Sequence, residues 1–193
     1  MPEFVLDLDP TVWVDIPSEQ EPSPDWVGES IAQLDPQFSG PDLASSAAVL
    51  DGIRRLPREA GTLFRLATLV GPGGQYLLLD VFESAAGVPS VEELREALPY
   101  VKEKQARQVS LGGVHDGVRW YETAAVPDER RPQSWSDGVS RDVQVSTLRY
   151  VFSVRGESDA WTLGASLSHF LPDGVVAGMD SAEQILGSVR VEE

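Results

Sequence analysis

The feature that most constrains the fold is an unbroken alternation of side chains near the end of the chain. From Trp161 to Ser168, apolar residues occupy every second position, with Thr, Gly or Ser between them. Successive residues of a strand point to opposite faces of a sheet. The segment therefore predicts a β-strand with one face on a hydrophobic core and the other, lined by Thr162, Ser166 and Ser168, facing water or a partner.

Other segments also have the character of strands. The run from Tyr76 to Leu79 does not alternate, which predicts a central strand covered on both faces, with helices on at least one side. Turn residues separate most of these segments, as expected for hairpins. The predicted strands cover 4–8, 12–16, 63–70, 75–82, 107–111, 118–126, 147–155 and 160–170.

Helices are predicted where apolar residues recur at three- and four-residue spacing after a start signal. The best marked start has Ser90 followed by Glu93, the spacing of a capping box. The predicted N-caps are Ser23, Asp42, Ser90 and Asp180. Grouped strands with helices between the hairpins are typical of α+β proteins. We therefore predict one α+β domain over residues 1–193, with a largely antiparallel sheet of about six to seven strands and helices packed on it.

Acidic side chains are concentrated at the beginning of the chain. The 193 residues carry 31 acidic and 15 basic side chains, a net charge of -16, yet no Lys or Arg precedes Arg54. Residues 1–53, the acidic N-terminal segment, hold 11 of the acids. Nucleic-acid and anionic-membrane binding need a basic footprint, which this composition lacks. A more basic protein is the partner that this charge favours.

A second candidate contact is the long loop 127–142, which has neither helix nor strand periodicity. Loops longer than about 12 residues in a compact domain are often functional or disordered. This loop carries two arginines and a tryptophan, residue types that are enriched at interface anchors. The predicted partner interface comprises Asp7, Asp9, Asp15, Glu19, Glu21, Asp25, Glu29, Arg130, Arg131 and Trp135.

The sequence contains no recognisable catalytic motif. With no cysteine and two histidines, it predicts neither a thiolate nucleophile nor a metal centre, and no cofactor motif is present. The glycine-rich run 71–74 lacks the Lys of a phosphate-binding loop. His115 beside Asp116 is the one motivated acid/base pair, because a carboxylate can orient an imidazole. The alternative is a turn, in which Asp is favoured for its geometry.

The part of the chain from residue 147 onward resembles a known family. Two long antiparallel strands, 147–155 and 160–170, lead into a terminal helix that ends over 185–189. This pattern is similar to the closing part of PsbP-like α/β/α domains, where a last helix packs over the sheet. The opening 12–17, followed by a helix with Trp26, looks like small actinobacterial proteins. The resemblance implies a binding or assembly factor without a shared active site, so it supplies no site residues.

The leading hypothesis is a non-enzymatic protein-binding module: an immunity-type inhibitor, a secretion chaperone or an assembly adaptor. No targeting signal and no apolar run of the roughly 20 residues of a membrane helix is visible, so a cytoplasmic protein without membrane contact is expected. One alternative is a small-ligand carrier that uses Thr162, Ser166 and Ser168 or a pocket under the 127–142 loop. The other is an acid/base enzyme that uses His115.

Overall fold

The computed structural model alternates short helices with strands that are mostly joined as hairpins. It describes residues 3–18, 25–35, 43–70, 75–98, 105–125, 144–157 and 159–192. The elements in chain order are β1 (Glu3–Val5), β2 (Val14–Asp15), α1 (Trp26–Gln33), α2 (Leu43–Arg54), β3 (Thr62–Leu69), β4 (Tyr76–Glu83), α3 (Val91–Ala97), β5 (Ala106–Leu111), β6 (His115–Ala125), β7 (Gln144–Arg155), β8 (Ala160–His169), α4 (Pro172–Ser188) and β9 (Arg190–Glu192).

Seven of the strands form one antiparallel sheet in the order β2-β3-β4-β8-β7-β6-β5. Neighbours in the chain pair as hairpins, β3 with β4, β5 with β6 and β7 with β8, while β4 pairs with β8 across a long stretch of sequence. β1 and β9 form a separate two-stranded ribbon. The prediction of an α+β fold with a largely antiparallel sheet is therefore confirmed.

One face of the sheet, which we call the α4 face, is covered by α4. Leu79, Leu167 and Leu148 lie side by side on β4, β8 and β7 and point to this face. They form the main core together with buried residues of α4 such as Val175 and Leu186. Burial of this apolar surface is the main favourable term that holds the helix against the sheet.

The β1–β9 ribbon packs at the side of the same core. Phe4 of β1 lies opposite Val191 and is buried in the main core. Its ring meets the partly buried ring of Trp161 edge to face, with centroids 6.1 Å apart and planes at 88°. This geometry is a favoured one for aromatic pairs. The ribbon thus covers the start of β8.

The opposite face of the sheet is covered at both ends by shorter helices. Near β3, Leu50 and Ile53 of α2 pack on Ala67 and Leu69. Near β5, Leu94 of α3 packs in a second cluster with Val118 and Trp120 of β6 and with Ala106. We call this the α2/α3 face. Helices on both faces explain why the run in β4 does not alternate, as its sequence predicts.

The polar side of β8 belongs to this covered α2/α3 face. The expectation that it faces water or a partner is wrong for Ser166, which is only 8% exposed. Its cross-strand neighbour Asp80 is buried as well, and so is Thr147, which pairs with Ser168 two residues along. Alternation in a sequence distinguishes the two faces of a strand, but it does not tell whether the more polar face meets water or other polar groups.

The last helix begins earlier than its sequence signals indicate. It starts at Pro172, eight residues before the predicted cap Asp180. Pro is favoured at the first helical position, whereas Gly174 and Gly178 lower the helix propensity of the first turns and hide them. In the structure Glu183 points inward and pairs with Arg119 instead of capping the helix.

The starts of α3 and α1 can be compared with the N-caps that the sequence predicts. The capping box of α3 is confirmed, because Ser90 Oγ accepts from the Glu93 N–H at 3.1 Å and the Glu93 carboxylate accepts from the Ser90 N–H at 2.8 Å. At α1 the cap position is Asp25, whose side chain makes no capping hydrogen bond. The predicted caps Ser23 and Asp42 lie outside the described residues.

Candidate functional site

The structure describes five of the ten residues of the predicted partner interface. Glu19, Glu21, Arg130, Arg131 and Trp135 lie outside the described residues, as does the loop 127–142 that carries the last three. The five acids that can be placed are Asp7, Asp9, Asp15, Asp25 and Glu29. All five are exposed: Asp7 and Asp9 lie between β1 and β2, Asp15 lies on β2, and Asp25 and Glu29 lie at the start of α1.

The segment between β1 and β2 runs along α4. The Asp7 N–H donates to Ser188 Oγ at 2.9 Å, and the Trp13 indole N–H donates to Ser181 Oγ at 2.8 Å. Trp13 is itself buried in the main core, so it fixes the segment against the helix. Asp7 and Asp9 are consequently carried by a segment that lies alongside the C-terminal half of α4.

The solvent-facing side of α4 adds acids that the sequence prediction did not include. Asp173, Val176 and Asp180 are exposed and follow one another at three- and four-residue spacing, which places them in one row along the helix. Val176 is 64% exposed, an unusual degree for a large apolar side chain within such a row. The sequence predicted that this helix begins at Asp180. Asp173 and Val176 were therefore not expected to lie on a helix surface.

We define the acidic face as the exposed carboxylates of the β1–β2 segment and of α4, together with Val176, which lies between the two carboxylates of the helix. Its members are Asp7, Asp9, Asp173, Val176 and Asp180. α4 itself contains no Lys or Arg. The one basic residue of β9, Arg190, pairs with Asp7 at 2.7 Å, but both side chains are more than half exposed, so water screens the pair.

Asp9 is held in its charged form by its own turn. Its Oδ1 accepts from the Thr11 N–H at 3.0 Å and from the Thr11 hydroxyl at 2.7 Å. The hydroxyl bond and then the backbone bond lower the pKa of the Asp9 carboxyl below its ordinary value. Hydrogen bonds to an ionised carboxylate favour that form. The acidic face therefore keeps the Asp9 charge at neutral pH.

Asp15 has a different environment on β2. Although the residue is exposed as a whole, its carboxyl loses part of its hydration to the surrounding protein, which raises its pKa, and the nearby Arg58 guanidinium opposes this rise only in part. Arg58 is occupied in addition by the carbonyls of Ile16 and Pro17, to which it donates at 2.6 and 2.8 Å. As a charged group, Asp15 is thus less favourably placed than Asp9.

The remaining two predicted acids lie on α1. Asp25 and Glu29 are exposed, and within the described ranges neither carboxylate forms an ion pair with a base. The residues that follow α1 contact the segment between β1 and β2, because the Asp35 N–H donates to the Thr11 carbonyl at 2.8 Å. The structure therefore does not gather the described acids into one cluster: Asp7 contacts the end of α4, whereas Asp25 and Glu29 lie at the start of α1.

The polar residues considered for a small-ligand site lie in a row across the α2/α3 face. Ser166 stands between Asp80 on β4 and Arg149 on β7. The Arg149 guanidinium donates to the carboxylates of Glu122 and Glu59. Each charge in this part of the row therefore has a partner of opposite sign.

Hydroxyl groups of the same face also pair with each other. Thr147 Oγ1 and Ser168 Oγ lie 3.0 Å apart on neighbouring strands. Together with the charged row, this indicates an internal polar network that joins strands rather than a set of groups awaiting a ligand. The network removes part of the motivation for a carrier site at Ser166 and Ser168.

The histidines do not form the acid/base site that was considered. His115 begins β6, is buried, and its Nε2 lies 2.8 Å from the Val189 carbonyl. Asp116 follows it on the strand and therefore points to the other face of the sheet, so it cannot orient the imidazole. His169 is buried too, and its Nδ1 accepts from the Leu171 N–H at 2.9 Å.

Neither a metal cluster nor a membrane helix is found in the part of the chain that the structure describes. No group of three or more Asp, Glu or His side chains there could hold a metal ion. No described helix has the length and apolar character needed to cross a membrane.

Comparisons with known proteins leave the family open. No protein-family model matches the chain, and the search of curated proteins finds no match either. The resemblance to PsbP-like domains therefore stays a prediction.

Proposed function

We propose that this protein is a non-enzymatic protein-binding module that uses its acidic face to bind a more basic protein. The observation that carries the proposal is the row Asp173, Val176, Asp180 on α4, which presents an exposed apolar side chain between two carboxylates. Immunity-type inhibitors, secretion chaperones and assembly adaptors are the kinds of protein that the proposal covers. On the sequence grounds given above, the proposed location is the cytoplasm.

The composition of the acidic face suits a protein interface. Such interfaces commonly place apolar contacts at the centre and polar or charged groups at the rim. Val176 supplies an apolar contact, and Asp173 and Asp180 supply carboxylates on either side of it. A partner that places an apolar side chain against Val176 and Lys or Arg at its rim would complement both features.

The overall charge favours the same kind of partner. A net charge of -16 produces a negative potential that attracts a basic protein and repels a second copy of this chain. Exposed charges act mainly on the rate of association, and salt screens them. Binding is therefore expected to be fast at low ionic strength and slower as salt increases.

The alternatives have less support from the geometry. The charged row near Ser166 is neutralised by its own members, and His115 is separated from Asp116 by strand alternation. These arrangements weaken the carrier and enzyme hypotheses at the residues that motivated them.

A pair of charge-reversal variants tests the proposal. One variant combines Asp173→Lys with Asp180→Lys on the acidic face. The matched control combines Glu92→Lys with Glu96→Lys, which are exposed on α3 at the opposite side of the sheet and change the net charge equally. The wild-type chain would first be used to capture partner proteins from the host at low salt. Each purified partner would then be mixed with the wild type and with the two variants, and the three association rates compared.

We expect the acidic-face variant to slow association by about tenfold or more, and the α3 variant to have a much smaller effect. The wild-type rate should also fall with added salt, more steeply than that of the acidic-face variant. Equal effects of the two variants would argue that only net charge matters. Absence of any salt-sensitive partner would remove the proposal.

A further inference from the structure

A surface cavity lies where β4 ends and β8 begins. Its volume is about 490 Å³, and the loop that follows β4 forms one wall while the first residues of β8 form the other. Cavities of roughly 300–1,000 Å³ are the size that small organic groups occupy in proteins. The residues that matter for its chemistry are Glu83, Ser84, Trp161 and Thr162.

Glu83 and Trp161 both line this cavity and belong to one face of the sheet. Glu83 lies directly opposite Leu163, and Trp161 is two residues along the same strand. Residues two apart on a strand share a face, so Glu83 and Trp161 are diagonal neighbours on the α4 face. Side chains in this relation are within reach of one group bound between them.

The loop that forms the outer wall is held in place by hydrogen bonds. The Ser84 N–H donates to the Thr162 carbonyl at 3.0 Å and closes the end of the β4–β8 pairing. The Ser84 hydroxyl donates to the Ala86 carbonyl at 3.2 Å within the loop. A wall fixed in this way needs little ordering when a group binds, which reduces the entropic cost of binding.

The electrostatic environment of the cavity is negative. Glu83 is exposed, and among the described residues no base forms an ion pair with it. Arg155, at the end of β7, pairs with Ala160 of β8. Its side chain therefore points to the face of the sheet opposite to Trp161. On the neighbouring β1–β9 ribbon Glu192 is paired with Arg190, with Oε1 3.8 Å from Nη2, so the negative charge of the cavity comes from Glu83.

We propose that this cavity binds an organic cation through its guanidinium or ammonium group. An aromatic face attracts a cation, and a carboxylate at its edge supplies a charged hydrogen-bond acceptor. Guanidinium satisfies both needs at once, because it is planar and stacks on aromatic rings while its N–H groups donate in the plane. The Glu83 carboxylate accepts, and the Trp161 ring stacks.

This site is separate from the acidic face and goes beyond the proposed function. The cation has two possible sources: a free small molecule, or a basic side chain carried by another protein. Both present the same chemistry to Glu83 and Trp161, so the probes of the test distinguish them.

Binding is tested by titrating the full chain with three probes and following the tryptophan indole N–H signals by nuclear magnetic resonance. Agmatine represents a free organic cation, and an end-blocked Gly-Arg-Gly tripeptide represents a basic side chain. An end-blocked tripeptide with citrulline in place of arginine is the neutral control. The variant Trp161→Phe identifies the Trp161 signal by its loss.

We expect agmatine or the arginine tripeptide to shift the Trp161 signal with saturation, and the citrulline tripeptide to leave it unchanged. Glu83→Gln should weaken binding by about fivefold or more, because it keeps the shape and removes the charge. Glu92→Gln on α3 removes an equal charge elsewhere and should have little effect.

Saturation by agmatine assigns the site to free cations, and saturation by the tripeptide alone assigns it to protein side chains. Three results would overturn the proposal: an unchanged Trp161 signal with both cations, an equal shift with the citrulline control, or equal weakening by the Glu83 and Glu92 variants. None of these results depends on the acidic face.

Discussion

Arg65 and Asp80 lie opposite each other on β3 and β4 and form a buried ion pair with two hydrogen bonds. The Arg65 Nε–Asp80 Oδ1 distance is 2.7 Å and the Nη2–Oδ2 distance is 2.8 Å. Arg65 also donates to the carbonyls of Ile53, Leu56 and Pro57 at and just after the end of α2. Carbonyls at a helix end lack partners within the helix. One side chain therefore joins α2 to the middle of the sheet.

The first prediction concerns this pair. Asp80→Asn leaves the Arg65 charge buried without its counter-ion, and we expect it to lower the free energy of unfolding by about 3–5 kcal/mol. The measurement is urea unfolding at neutral pH. Asp51→Asn is the control, because Asp51 pairs with Arg54 and Arg55 at the surface and its loss should cost about 1 kcal/mol or less. Similar losses in both variants would contradict the role given to the buried pair.

The second prediction concerns the close approach of α4 to the turn between β5 and β6. A Cβ added at Gly187 would lie 2.6 Å from the Gly112 Cα, which is backbone and cannot move aside alone. Gly112 itself has a φ of +59°, a conformation that favours glycine. We expect Gly187→Ala to destabilise the fold by about 1–3 kcal/mol, the usual cost of overpacking. Thermal unfolding measures this effect.

A glycine in an open environment supplies the control for that substitution. Gly28 lies within α1, and nothing comes within 4 Å of a Cβ added there. Gly28→Ala should stabilise the protein by about 0.5–1 kcal/mol through helix propensity. If both alanine variants changed stability in the same direction, the contact between α4 and the turn would not be a close one in solution.

The third prediction compares two acids whose pKa values shift in opposite directions. Loss of hydration raises the pKa of Asp15 in the folded protein, so ionisation of this carboxyl opposes folding once the pH exceeds its ordinary value of 3.8. Asp15→Asn should therefore raise stability at neutral pH, and the gain should disappear as the pH falls below that value. Hydrogen bonds from Thr11 lower the pKa of Asp9, so Asp9→Asn should reduce stability at neutral pH.

Both variants are measured by urea unfolding at neutral pH and at a pH low enough to protonate carboxylates in the unfolded chain. The loss in Asp9→Asn should also fade at low pH, because the Asp9 contribution is lost as the pH falls through its lowered folded pKa. Shifts of the same sign at neutral pH would contradict the two environments described for Asp9 and Asp15.

The fourth prediction concerns alkaline pH. Burial, and then the neighbouring Glu183 carboxylate, raise the pKa of the Tyr150 phenol far above its ordinary value of 10.0. Above that value the unfolded chain loses this proton while the folded chain keeps it, so stability falls as the pH rises. For this group the slope approaches about 1.4 kcal/mol per pH unit.

Tyr150→Phe removes the ionisable group and should make stability between about pH 9 and pH 11 less dependent on pH. It also removes the hydrogen bond from Tyr150 Oη to Glu183, which costs about 1 kcal/mol at all pH values. The readout is therefore the slope and not the absolute stability. An unchanged slope would contradict the raised pKa of the Tyr150 phenol in the folded protein.

Local patterns predicted the parts of this protein that depend on nearby residues. The alternation in β8, the hairpins and the Ser90–Glu93 capping box involve residues within one strand or turn, and the structure has them all. The start of α4 was missed because two glycines weaken the local helix signal, while burial of Val175 against the sheet stabilises the first turn. Tertiary packing outweighs propensity at such positions.

The same distinction between local sequence and tertiary contacts applies to the candidate site. The excess of acids at the beginning of the chain is a property of the sequence, but the placement of Asp7 and Asp9 beside α4 depends on the contacts of their segment with Ser181 and Ser188. The cavity beside Glu83 likewise depends on the pairing of β4 with β8, which joins segments far apart in the chain. No local pattern encodes these contacts.

The sequence by itself determined the fold class, the longer strands and the sign of the charge, because side-chain periodicity and composition act over short distances along the chain, whereas the short strand β9 was not predicted. Only the tertiary structure decided which polar groups are buried together, such as Arg65 with Asp80, and which acids share a surface. The physical reason is that burial and pairing depend on which segments the core brings into contact. That choice minimises exposed apolar surface and unpaired polar groups over the whole molecule, and it is not encoded in any single segment.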